Sequence, residues 1–135
     1  DHRMLKPDFS KYNLALIKDD KIIHTSTKSG IRPIVECVIK YKGKIKDCIL
    51  HDKIIGLGAA RVIVYSGIFK ELCSQVCSTK AIDHLVKNKI SFEVREFADQ
   101  IMNKEKTDMC PMEKKATEIV NDEKYFLKVK ELLKL

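Results

Sequence analysis

No run of apolar residues in this chain approaches the ~20 that a membrane-spanning helix needs, so no membrane partner is expected. The opening stretch, DHRMLKPDFSKY, lacks the apolar centre of a secretory signal, which makes the cytoplasm the expected compartment. No Cys-x-x-Cys pair occurs; Cys73 and Cys77 stand four apart, a spacing that suits neither a redox couple nor a common zinc knuckle. The Gly56-Leu57-Gly58 triplet has no third glycine and no Gly-Lys-Ser/Thr after it, which leaves it little weight as a phosphate loop. Close helix packing explains it better. No linker, internal repeat or low-complexity segment divides the 135 residues, so one domain over 1–135 is expected. Within it, about 1–11 reads as a tag-like N-terminal extension and 122–135 as a C-terminal helix.

What is present is a soluble-type composition, 44% apolar and 33% charged, with a net charge of +7. Lysines and arginines are spread along the whole chain. Their one cluster is Lys40, Lys42, Lys44 and Lys46, with Tyr41 the only aromatic among them. Stacking platforms for bases are therefore missing, and the cluster reads as a solvated surface rather than a nucleic-acid site. Four of the five cysteines, at 37, 48, 73 and 77, lie in or beside apolar stretches and read as reduced core fillers. No cofactor is expected, and a homo-oligomer is compatible with the composition.

Local patterns define the elements. Asp19-Asp20 between NLALIK and KIIHT predicts a two-residue hairpin turn. Arg32-Pro33 opens a helix whose Ile34, Cys37, Val38 and Tyr41 share one face. KIKDCILHD reads as a strand, KIIGLGAARVIVYSG as an apolar helix stopped by Gly67, and ELCSQVCS as a further strand. Thr79 is expected to cap a helix ending near Asn88, and ISFEV alternates as a strand. REFADQIMNKEKTD is expected to form a helical turn and loop. CPMEKKATEIV and EKYFLKVKELLKL follow as helices, the second turning Phe126, Val129, Leu132 and Leu133 inward. Strands separated by helices pair in parallel through right-handed crossovers. The expected fold is thus α/β, a three-layer α/β/α sandwich on a five-stranded mixed sheet.

In such a sheet ligands sit beyond the carboxyl ends of the parallel strands. One exit carries His51-Asp52-Lys53. Asp52 is expected to cap the next helix, or to act as a base or bind a ligand amine, and Lys53 to pair an anion. Cys110 stands before Pro111 with Glu113 three residues on, the spacing of a capping box with sulfur in place of oxygen. A helix N-terminus lowers a thiol pKa, so Cys110 is either a reactive or ligand-contacting thiol or a partly buried cap. Asp52, Lys53 and Cys110 are the catalytic candidates, and thiol chemistry at Cys110 leaves open whether the protein is an enzyme.

SGIRPI, DKIIGLGAA, YSG and MCPMEK, over roughly Tyr12 to Leu135, resemble the domain-of-unknown-function family 1893, uncharacterised proteins with a cytidine-deaminase-like fold lacking the zinc motif. Zinc deaminases carry His-x-Glu at one helix start and Pro-Cys-x-x-Cys at the next, with Glu moving protons. Here Lys53 stands at the Glu position and only Cys77 lies near the first thiolate position. The resemblance thus implies a zinc-less deaminase-like pocket that is not a hydrolytic deaminase. Asp52 and Lys53 would form its floor, the Cys110 loop its mouth, and Arg32, Ser78 and Glu113 further ligand-binding positions. An alternative metal set would be His51, Cys77 and Cys110. The implied function is binding of a small molecule or nucleotide-like ligand. A non-enzymatic regulatory or interaction domain is the alternative, and a nucleic-acid binder the third reading.

Overall fold

The computed structural model describes residues 6–99 and 111–135. Two strands, β1 (Leu14–Lys18) and β2 (Lys21–Ser26), form the hairpin. Asp19 and Asp20 both take left-handed backbone angles, φ 51° and 64°, as the turn demands. Aspartate tolerates that region because its short polar side chain bonds locally. Helix α1 (Arg32–Tyr41) follows, then β3 (Cys48–Asp52), the short β4 (Ile54–Ile55) and α2 (Leu57–Ser66). The chain continues through β5 (Phe69–Ser78), α3 (Thr79–Lys87), β6 (Ser91–Ala98), α4 (Pro111–Glu118) and α5 (Asp122–Leu133).

Among the described residues the sheet is mixed, open and six-stranded. β1 lies antiparallel between β2 and β3, while β3, β4 and β6 all run parallel to β5. β6 takes one edge of β5 along Glu71–Ser78, so β3 and β4 share the other edge, one after the other. Six segments therefore fill five strand positions, because Ile54–Ile55, expected in the following helix, forms a short strand after a break at Lys53. With helices joining the parallel strands, the arrangement is consistent with a three-layer α/β/α sandwich.

Both sides of the central strands are buried. Leu14, Leu16, Leu50 and Leu72 belong to the main core with Ile34 and Val38 of α1, whereas Ala15, Ile17, His51 and Cys73 are buried outside that cluster. Helix α2 touches each of the other four helices, which explains why it is apolar on nearly every side. Gly67, at φ 69°, ends it.

Three expectations change at element ends. Ile54–Ile55 belongs to the sheet, and the helix starts only at Leu57. Ser78, rather than Thr79, caps α3, its Oγ accepting the Ala81 N–H at 3.1 Å. Arg95–Ala98 extends β6 instead of turning helical, because it continues the parallel pairing with β5 through Ala98. In α5 Tyr125, Phe126 and Val129 are buried while Leu132 is exposed. Among the described residues, no helix is long and apolar enough to cross a membrane.

Candidate functional site

A cavity of about 300 Å³ lies where β2 and β3 deliver the chain to α1 and α2. Its wall is made by the loop before α1 (Lys28 to Ile31), by Asn13, by Asp52 to Ile54, and by Met112 and Glu113 of α4. Asn13 fixes that loop, its side-chain amide donating to the Thr27 and Lys28 carbonyls at 3.0 and 3.1 Å. The position is the carboxyl end of parallel strands, where helices begin.

Neighbouring side chains of a regular strand point to opposite faces. Asp52 and Lys53 nevertheless both border the cavity, because the strand is interrupted at Lys53, between β3 and β4. The Lys53 N–H donates to the Asn13 carbonyl at 2.9 Å. The Lys53 carbonyl accepts from the Gln75 and Val76 N–H groups, at 3.1 and 3.0 Å, and from Ser74 Oγ at 3.2 Å. Lys28 is already held by Glu36, Nζ to Oε2 at 2.9 Å. The Lys53 ammonium has no ion pair or hydrogen bond among the described residues.

Asp52 is only 6% exposed, and burial holds its carboxyl well above the usual carboxylate range; the Ile54 N–H opposes this. The consequence for stability has a definite sign. Below about pH 4 the carboxyl is protonated in both folded and unfolded chains, and its favourable contribution is complete. As pH rises the unfolded chain ionises first, so stability is lost until the folded-state carboxyl ionises too. Asp52→Asn removes this loss. Its unfolding free energy at pH 7 is expected to exceed that of the natural chain, with the gap closing toward pH 4. Urea titrations across that range check it, and a gap independent of pH would contradict it.

Asp52 does not cap α2. That helix starts five residues later, its N-cap is Gly56, and no side chain of the N-cap residue serves it. The cap is Glu113, from the distant α4. Its Oε2 accepts the Leu57 N–H at 3.0 Å and its Oε1 the Gly58 N–H at 2.6 Å. A carboxylate is well placed there, because the first-turn N–H groups and the helix dipole favour negative charge. Gly58 is what permits the approach. A Cβ at that position would lie 2.7 Å from Tyr125 Oη and 3.3 Å from Glu113 Oε1. The expected close packing of this glycine triplet is therefore real, and it is packing against α4 and α5.

The other sequence candidates are dispersed. Arg32 turns to α5, donating to the Leu133 carbonyl at 2.8 Å, and pairs with Glu36 at 3.6 Å. Ser78 is 1% exposed and engaged as the α3 cap. Neither lines the cavity. Cys110, with its part in the capping box and in any metal set, lies outside the described residues. His51 pairs across the sheet with Ala15 and Cys73, on the face opposite Asp52. There its Nδ1 meets Tyr12 Oη at 2.8 Å, and Tyr12 Oη also accepts the Asp8 N–H at 3.1 Å.

The zinc that deaminases employ does not fit these residues. The one histidine at the strand exit faces away from the cavity, and Cys77 lies buried in the main core. Among the described residues no three His, Cys, Asp or Glu side chains are grouped to hold a metal ion. Burial also pushes the Cys37 thiol up to about 12, and those of Cys73 and Cys77 up to about 11. At neutral pH these three rest as thiols rather than nucleophilic thiolates. Cys48 is buried as well, and its pKa is raised by desolvation.

Arg61 escaped the sequence reading. It is buried in α2, yet its guanidinium donates to the Ala116, Ile119 and Val120 carbonyls, pairs with Asp122 at 2.8 Å, and stacks 4.4 Å from the Tyr125 ring centre. The available signal was a lone charge inside an apolar helix, GLGAARVIVY, since arginine is almost never fully buried unless paired.

Comparison with known proteins agrees with this architecture. No curated protein matches the chain. A crystal structure of a DUF1893 family protein from Thermotoga maritima superposes with a TM-score of 0.79 at 26% identity, covering 94% of this chain and 84% of that one. The family profile for the domain of unknown function DUF1893 matches residues 5–133. With nearly its whole length matched, the chain belongs to the DUF1893 family.

Proposed function

We propose that this protein binds a small molecule in the cavity beside Asp52 and Lys53, a zinc-less counterpart of a deaminase pocket that performs no hydrolytic deamination. One observation carries the reading: a buried carboxyl and an ammonium without a partner among the described residues, adjacent in sequence, border one cavity at a strand-to-helix exit. Pockets of this kind combine apolar walls with a few polar groups that set orientation. Among the described residues no ligand set that would support a zinc-activated water faces the cavity, and Lys53 is a poor substitute for a proton-shuttling glutamate. Cys110 keeps its place as the candidate thiol of this pocket.

A thermal-shift screen of small metabolites, with Asp52→Asn and Lys53→Met as comparators, tests the proposal. Ligands that raise the melting temperature of the natural chain are expected to lose most of that effect in at least one variant. Hits unaffected by both substitutions would place binding elsewhere. Cytidine incubated with the protein, with and without added zinc, is expected to release no ammonia.

Phe97, 64% exposed on β6, favours a second reading as an interaction domain, because large exposed apolar side chains on an edge strand suit a protein partner. Partner capture that survives Asp52→Asn and Lys53→Met but fails in Phe97→Ser would support it over the first.

A further inference from the structure

Building on the small-molecule reading, we infer that the cavity takes a compact zwitterion: an amine or similar N–H-bearing cation against Asp52, an acid group at Lys53, and an apolar body between. The cavity, at about 300 Å³, stands at the small end of ligand sites, which span about 300–1,000 Å³. It suits one ring or a short aliphatic body rather than a dinucleotide. Ile31, Pro33, Ile54, Ala59 and Met112 supply the apolar walls.

Charges decide the ends of the ligand. Among the described residues, four ionisable side chains line the cavity: Lys28, Asp52, Lys53 and Glu113. Two are committed within the protein. Glu113 gives both oxygens to the N-terminus of α2, and Lys28 is held by both oxygens of Glu36. The remaining pair is one acid and one base. Asp52, nearly enclosed, has the Ile54 N–H as its donor, so a cationic group is the partner that would let it ionise in place. Lys53, half-buried and unpaired among the described residues, offers a point charge to an acid. A ligand bearing only one charge would leave the other group unmatched. A zwitterion satisfies both.

Four compounds with one shared skeleton test this by calorimetric titration: 4-(aminomethyl)benzoate, 4-methylbenzylamine, 4-methylbenzoate and p-xylene. The zwitterion is expected to bind at least about tenfold more tightly than either singly charged compound, since each charge-assisted hydrogen bond contributes that much or more. Asp52→Asn should erase its advantage over the acid, and Lys53→Met its advantage over the amine. A flat ranking, or p-xylene as the tightest, overturns the zwitterion while leaving small-molecule binding in place. No binding by any of the four, alongside cavity ligands from the metabolite screen, does the same. No binding in either experiment overturns both. The ranking on the natural chain decides the matter even if a variant fails to fold.

Discussion

Arg61→Ala is expected to lower stability by about 3–4 kcal/mol, the largest effect of any single substitution foreseen here. For a chain of this size that corresponds to a melting temperature lower by about 10 °C. The guanidinium answers three backbone carbonyls at the end of α4 and beyond it, and it tethers Asp122 at the start of α5. Removing it leaves the Ala116 carbonyl buried without this donor and frees the α4–α5 junction from α2. Asp122 is about half exposed, so water can take over its charge, and the loss falls mainly on the carbonyls. Arg61→Lys should recover only part of the loss, because an ammonium cannot present a planar fork to several acceptors. Arg61→Met keeps the packing volume and separates the lost hydrogen bonds from the lost packing against Tyr125. Urea unfolding of the three variants checks the order; a lysine variant as stable as the natural chain would remove the case for the fork.

Glu113→Ala is expected to cost about 2–3 kcal/mol, by stripping two first-turn N–H groups of α2 of their acceptor. Glu113→Gln retains one acceptor and loses the charge, so roughly half that cost should remain. Amide hydrogen exchange gives a local reading: protection at Leu57 and Gly58 should fall in Glu113→Ala while the amides of β1 and β3 stay slow. Unchanged exchange at those two amides would show that the carboxylate is not their effective cap. Because Glu113 also borders the cavity, ligand binding should weaken in the same variant.

Much of this molecule is legible residue by residue. The Asp-Asp turn, the apolar face of α1, the stop at Gly67 and the break at Asn121 before α5 all depend on interactions within a few positions. Local patterns report such interactions directly. The misreadings cluster where a distant partner intervenes. Asp52 looks like the cap of α2 from its spacing, yet the acceptor comes from Glu113, 55 positions beyond Gly58. Arg95–Ala98 looks like the start of a helix, yet β5 offers its edge and the strand continues. The site was legible to the extent that Asp52 ends a strand, Lys53 follows it and Glu113 lies in the first turn of a helix. That all three border one cavity, and that Arg32 and Ser78 do not, could not be read from spacing.

By itself, the order of residues determined the fold class and most of the faces of its elements, since backbone preference and apolar periodicity act over a turn or a strand length. Tertiary structure alone decided which polar groups are spent on each other and which are left facing the cavity. The reason is that a buried charge takes whichever partner the packing brings within reach, and in this protein those partners are some fifty residues away.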